Sequence, residues 1–140
     1  MTCEEIMKYR NENNHFAVLL GIRTLKMNPG YAMGEMELTK QHINAVGSVH
    51  GGCIFALADT IGGAAAASHG TQITTISGDF HYLSAAMEGC KRLIAVAREI
   101  KYGKRILVYD VEVTDETGRG IAKGVFSYYN LGKPWKEELS

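Results

Sequence analysis

The sequence predicts an α+β fold: a curved antiparallel sheet wrapped around one long central helix, with a short helix ahead of it. Three observations carry this. From His50 to Ser68 the chain reads HGGCIFALADTIGGAAAAS, a stretch of helical length that is apolar all round. A helix without a polar face belongs in a core or an interface. After it the composition changes to Thr, Ile, Tyr and Val interrupted by turn residues, which is the chemistry of a sheet. Before it, two strand-like runs flank the turn signal Asn28-Pro29-Gly30. Antiparallel strands need a cover for their apolar face, and an embraced helix supplies it.

In chain order, Cys3 to Arg10 carries Ile6, Met7 and Tyr9 among charges and follows Thr2, a suitable N-cap. A short helix is expected there, with residues 1–14 acting as a cover. The run Phe16 to Met27, FAVLLGIRTLKM, is expected to be the first arm of a hairpin and Tyr31 to Lys40 the second. In the second arm Tyr31 and Met33 are in one phase and Met36 and Leu38 in the other, which places a bulge at Gly34-Glu35. Beyond the helix, strands are expected from Thr71 to Leu83, Lys91 to Lys101, Lys104 to Thr114 and Gly120 to Asn130. Turns at Glu88-Gly89, Tyr102-Gly103 and Asp115-Glu116-Thr117-Gly118 separate them. Leu107, Tyr109, Val111 and Val113 alternate with Val108, Asp110 and Glu112, the signature of a strand with one buried face. The Ala64 to Ala67 run suits close packing of helix on sheet, and 134–140 reads as a loose tail. With no repeat, low-complexity tract or linker, 1–140 reads as a single domain.

Bulk properties exclude several classes of function. Lys plus Arg equals Asp plus Glu at 15 each, so no global field attracts nucleic acid or an anionic membrane. Cys3, Cys53 and Cys90 are odd in number and widely spaced, matching neither a disulfide framework nor a zinc motif. His15, His42, His69 and His81 lack ligand spacing, so neither a metal nor a cofactor is expected. The start, MTCEEIMKYRNENN, is acidic and polar where a secretory signal is basic and then apolar, and no run has the apolar length of a membrane span. A cytoplasmic protein is expected.

Asp59 is the one ionisable side chain of the apolar helix, near its middle. Between Lys40 and Lys91 there is no Lys or Arg, and the only other acids are Asp79 and Glu88, so no cation nearby in the chain can neutralise it. A carboxylate that is poorly solvated and unpaired is a candidate base or nucleophile. The bland alternative leaves Asp59 at a water-filled edge, or bonded to Thr60 or a neighbouring turn.

Asn44, then His50-Gly51-Gly52, then Leu57-Ala58-Asp59, with Ser77-Gly78-Asp79-Phe80 in the next strand, resembles the hot-dog fold acyl-CoA thioesterases of the phenylacetic-acid-degradation (PaaI-like) type. The resemblance runs from about Leu38 to Gly132. It implies a homodimer whose sheets join edge to edge, doubled into a homotetramer as a dimer of dimers, with sites at the subunit boundary and an acyl-CoA as substrate. Helix geometry agrees with a shared site. Asp59 lies eight residues after Gly51, about 12 Å along a straight helix at a rise of about 1.5 Å per residue. Both cannot reach one carbonyl or its attacking water, whereas a two-fold partner can bring its own Asp59 beside Gly51.

The resemblance also implies roles. Thioester hydrolysis passes through a tetrahedral oxyanion, so the carbonyl oxygen needs directed donors. Gly51 and Gly52 leave backbone N–H groups uncluttered at the positive end of the helix dipole, and the family assigns the oxyanion contact to the position of Gly51. Asn44 assists at the carbonyl or positions water; otherwise it is a turn-capping Asn. Asp59 activates water or attacks to form an anhydride, two routes the sequence leaves open. His50 orients or donates, although a His beside glycines at a helix start is often just a local hydrogen-bonding residue, and Ser77 helps to place water, although a Ser in a strand is usually structural. Lys101, Lys104 and Arg105 around the Tyr102-Gly103 turn, with Lys91 and Arg92, are the natural holders of coenzyme A phosphates, although a basic turn is often only solvated. The competing readings are a hot-dog hydratase or dehydratase and a non-catalytic acyl-CoA-binding protein. The acyl group, set by residues such as Phe55, Tyr82 and Met87, and the carrier, coenzyme A or acyl-carrier protein, are not legible.

Overall fold

A computed structural model of the chain describes residues 1–135. Helix α1 (Cys3–Asn13) opens with a full capping box: the Thr2 hydroxyl accepts from Glu5 N–H while the Glu5 carboxylate accepts from Thr2 N–H. It lies on strand β1 and the central helix, with Ile6 buried beneath it. The Asn11 carboxamide pairs with both the N–H and the C=O of Thr24 at 2.9 Å, acting as a one-residue extension of the sheet.

The expected first arm, Phe16 to Met27, is not one strand. His15–Leu20 forms a second helix, α2, and only Ile22–Asn28 is strand β1. Both ends of α2 are written locally. The Asn14 side chain accepts from Ala17 N–H, and Gly21, at φ 76°, takes the left-handed conformation that closes a helix and returns its N–H to the carbonyls of Ala17 and Val18. Strand β2 (Tyr31–Glu37) completes the hairpin and ends before Lys40, which begins the 3-10 turn Lys40–His42 capped by Thr39.

The bulge of this hairpin is on β1, not at Gly34-Glu35. The register jumps from Thr24↔Gly34 to Lys26↔Met33, leaving Leu25 as the extra residue. Strand β2 alternates without interruption, burying Ala32, Gly34 and Met36. Gly34 was misread because an inward position without a side chain shows no hydrophobic signal. A Cβ there would overlap Ile61 of the central helix.

Helix α3 (Gly51–Ala67) follows as expected, then β3 (Thr71–Tyr82), β4 (Arg92–Tyr102), β5 (Ile106–Asp115) and β6 (Gly120–Pro134). The strands form one six-stranded antiparallel sheet in the order β1-β2-β4-β5-β6-β3. It curves around α3, of which Leu57, Ala58, Ile61 and Ala64 to Ala67 have no exposure. Facing it are Ala95 and Ala97 of β4, Tyr109 and Val111 of β5, and Phe126 and Tyr128 of β6. The expected architecture is therefore the observed one. Of the expected tail, Pro134 ends β6, and Trp135 donates from Nε1 to Thr71 O at 2.9 Å and packs edge-on against Tyr9; residues 136–140 lie outside the described residues.

A second bulge shapes the outer strand β3. Thr75 pairs with Tyr128 and Ser77 with Ser127, so Ile76 is the added residue. The bulge reverses the alternation. Thr75 before it, and Gly78, Phe80 and Tyr82 after it, all face α3, as their contacts with Asp59, Phe55 and Gly51 show.

Candidate active site

The start of α3 is built from two histidines. His42 is buried; its Nδ1 accepts from Thr39 N–H at 3.0 Å, which leaves Nε2 to donate to Leu20 O at 2.6 Å. Its carbonyl takes the His50 N–H. His50 is the N-cap, its Nδ1 accepting from Gly52 N–H at 2.8 Å. That bond separates the two glycines. Gly52 N–H is consumed by the cap, whereas among the described residues Gly51 N–H meets no acceptor. Gly51 opens on a cavity of about 300 Å³ lined by Ser48, Val49, Ile54, Tyr82 and Ala85, and the Tyr82 hydroxyl donates to Gly51 O at 2.7 Å.

Asn44 lies in the loop before this turn. Its Oδ1 accepts from Val46 N–H and Ser48 N–H, and its Nδ2 donates to the Ser48 hydroxyl at 2.9 Å. The carboxamide oxygen is thus spent on the turn and the amide nitrogen is the end that retains capacity.

Asp59 is half-buried, two turns further along α3. Its Oδ1 accepts from Thr75 Oγ1 at 2.8 Å and lies 3.3 Å from the Tyr128 hydroxyl, which also donates to Asp59 O at 2.9 Å. The expectation that no cation is at hand is corrected here. Arg10 comes in from α1, donates from Nη2 to Thr60 O at 3.2 Å, and is attracted to both Asp59 and Tyr128. Burial pulls its guanidinium below the ordinary value, against that attraction. Tyr128 is pushed well above the ordinary phenol value, first by burial and then by the Asp59 charge, so it stays a proton donor. Thr75, Tyr128 and Arg10 were missed in the sequence, because each reaches the helix from a distant segment; Tyr82, expected only to shape the acyl pocket, also bonds to Gly51.

Between Gly51 and Asp59 of one chain stands a wall of rings: Phe55 packs on Phe80 and Phe126 at 5.6 and 5.2 Å between centroids, and Phe80 on Tyr82 at 5.2 Å. Ser77, at the bulge, is exposed and pairs with Ser127 rather than touching Asp59. Lys101, Lys104 and Arg105 are exposed, and Arg105 donates to the Tyr129 hydroxyl at 3.3 Å. Ile106 and Thr74 both pair with Tyr129, so this basic turn lies at the Asp59 end of the sheet, away from Gly51. Lys91 and Arg92 are also exposed; Lys91 N–H donates to Glu116 at 2.9 Å.

Two other features lie apart from these groups. A cavity of about 710 Å³ is lined by α2, the β1–β2 hairpin and the turn at His42, and includes neither Gly51 nor Asp59. Cys90, Asp115 and Glu116 bring possible metal ligands within 4.8 Å of one another. The Cys90 thiol is pushed up to about 11, by burial first and then by Glu116, and Asp115 already accepts from Thr117 and Arg119. Among the described residues no helix is long and apolar enough to cross a membrane.

Comparison with known proteins adds family evidence. Residues 46–122 match the thioesterase superfamily. The chain is 33% identical over 111 residues to acyl-coenzyme A thioesterase PaaI of Escherichia coli, covering 79% of each chain. It is 31% identical over 124 residues to human acyl-coenzyme A thioesterase 13, covering 86% of this chain and 88% of that one. The solved E. coli PaaI structure superposes with a TM-score of 0.89 at 28% identity, over 94% of this chain and 95% of that chain. The Streptococcus mutans protein smu.793, solved bound to acetyl CoA, matches with a TM-score of 0.76 at 27% identity, over 81% and 91% of the two chains. With its one helix inside a curved antiparallel sheet, this chain belongs to the thioesterase superfamily, on the PaaI-like branch, and is a thioester hydrolase.

Proposed function

We propose that this protein hydrolyses acyl-CoA thioesters to the free acid and coenzyme A, in sites shared between two subunits of a homodimer. The observation that carries the reading is the Gly51 N–H, which has no acceptor among the described residues and opens on a cavity at the head of α3. In this reading it receives the carbonyl oxygen as negative charge develops there. The partner's Asp59 takes a proton from water at Oδ2 while the water oxygen bonds to the carbonyl carbon. Collapse of the tetrahedral species breaks the C–S bond, and the departing thiolate takes up that proton.

The position of β3 supports the dimer. It is an outer strand, and it touches Asp59 through Thr75 at one end and Gly51 through Tyr82 at the other. Antiparallel pairing of two β3 strands about a two-fold axis near Gly78-Asp79 sets Thr75 of one protomer opposite Tyr82 of the other. Each Asp59 is thereby carried toward the other chain's Gly51, past the ring wall that separates them within one chain. Asn44 Nδ2 and His50 Nε2 are the remaining donors near the carbonyl, and Ser77, on the paired edge, helps to place water. Lys101, Lys104 and Arg105 then sit toward the partner's pocket, where coenzyme A phosphates are held. A dimer of dimers and a cytoplasmic setting complete the proposal. The named relatives support it: two are acyl-CoA thioesterases and one was solved with acetyl CoA.

Thiol release from a panel of acyl-CoAs tests it. Asp59→Asn is expected to abolish release and keep binding; hydration of an enoyl-CoA, or full activity of Asp59→Asn, overturns the reading. The shared site is tested by mixing. Gly51 is the first helical residue, where proline is tolerated, and His50 at φ −58° and ψ 130° already suits a following proline. Gly51→Pro thus deletes the N–H and keeps the helix. Refolded together, Gly51→Pro and Asp59→Asn chains are expected to recover about one quarter of wild-type activity, since half the dimers are mixed and each holds one intact site. No recovery overturns the shared site.

A further inference from the structure

We propose that Thr75 and Tyr128 are positioning residues that hold Asp59 by Oδ1 and keep Oδ2 free as the oxygen that takes the proton, an inference that rests on Asp59 being the base. The two carboxylate oxygens are not equivalent. Oδ1 accepts from the Thr75 hydroxyl at 2.8 Å and lies 3.3 Å from the Tyr128 hydroxyl, whereas among the described residues Oδ2 has no donor. The Tyr128 hydroxyl has one proton to give. At 2.9 Å from the main-chain oxygen of the same residue it serves side chain and helix turn alternately, which ties the carboxylate to its own backbone.

The surroundings fix this arrangement. Tyr128 is fully buried, flanked by Tyr109 at 6.0 Å between centroids, and its hydroxyl enters the helix surface through the gap at Gly62, where a Cβ would overlap it. Thr75 is the last residue to face α3 before the Ile76 bulge re-phases the strand, and its hydroxyl reaches Asp59 from that exposed edge. The charged and titratable groups facing Asp59 are Arg10 from α1 and Tyr128 from β6, with Tyr109 of β5 behind the latter. Arg10 supplies the opposite charge and bonds to the neighbouring Thr60 carbonyl, leaving the orientation of the carboxylate to the two hydroxyls. A hydroxyl bonded to one oxygen stabilises the ionised form and restricts rotation, so the free oxygen presents itself in one direction.

The test uses Thr75→Val, Thr75→Ser and Tyr128→Phe on the full chain, with Asp59→Asn measured beside them. Loss of one donor to the carboxylate is expected to lower kcat about tenfold with KM little changed. The acid limb of the kcat profile is expected to move to higher pH in Thr75→Val and to return in Thr75→Ser. A merely structural role lowers Tm and leaves the limb where it was, and that result overturns the proposal. Thr75 is exposed, so its variants test the idea even if Tyr128→Phe does not fold. If Asp59→Asn stays active, the reading of the base fails. If it is dead while Thr75→Val and Tyr128→Phe match wild type, only the positioning role fails.

Discussion

The hydroxyl of Tyr128 occupies the space that a side chain on Gly62 would need, so the two residues are complementary across the contact of α3 with β6. Intrinsic helix propensity favours Ala over Gly by about 1 kcal/mol. The overlap outweighs it, because a buried phenol held to Asp59 cannot step aside without losing its bonds. Gly62→Ala is expected to destabilise the protein by about 1 to 3 kcal/mol net. Adding Tyr128→Phe restores room, so denaturant unfolding of the double variant is expected to show less loss than the sum of the singles.

His50 carries a second expectation. His50→Ala removes the acceptor of Gly52 N–H and is expected to cost about 1 kcal/mol, a fall in Tm of roughly 3 °C. His50→Asn retains a capping oxygen and is expected to recover that stability in thermal unfolding. It does not restore Nε2, so a kcat that remains low in His50→Asn assigns the ring a part at the carbonyl beyond capping.

Cys90 gives a pH dependence. Its folded thiol is pushed up to about 11, by burial first and the Glu116 hydrogen bond next. The folded state therefore holds the proton where the unfolded chain has released it, and stability falls as pH rises from the ordinary thiol range toward that value. Alkylation of native Cys90, followed by mass spectrometry, is expected to stay slow at pH 8 and to accelerate toward about 11, and Glu116→Gln is expected to bring the acceleration to lower pH.

Most of the architecture was legible because it is written in local periodicity. The all-apolar run became α3, and the alternation around Tyr109 became β5 with its buried face. The reading failed where a short apolar run carries no period. Phe16 to Leu20 is too brief to separate helix from strand, and only Asn14 and Gly21 at its ends decide the matter. Of the candidate site, only what lies on one segment could be placed from the sequence: His50 caps α3, Gly51 opens it and Asp59 lies two turns on. What surrounds Asp59 could not be, since Arg10, Thr75 and Tyr128 converge only through the closing of the sheet on the helix. Asn44 and Ser77 show what a motif leaves out: the Asn44 carboxamide oxygen is spent on a local turn, and Ser77 sits on the exposed edge strand away from Asp59.

Ile76 contributes no chemistry of its own, yet the half-turn it adds to the backbone lets one strand attend to opposite ends of the helix. Removing that single link would leave the composition almost untouched and rotate everything from Ser77 to Tyr82 away from α3. For this edge, length is a stricter requirement than identity: changing the residue at 76 is a mild edit, whereas deleting it parts Thr75, which holds Asp59, from Tyr82, which holds Gly51.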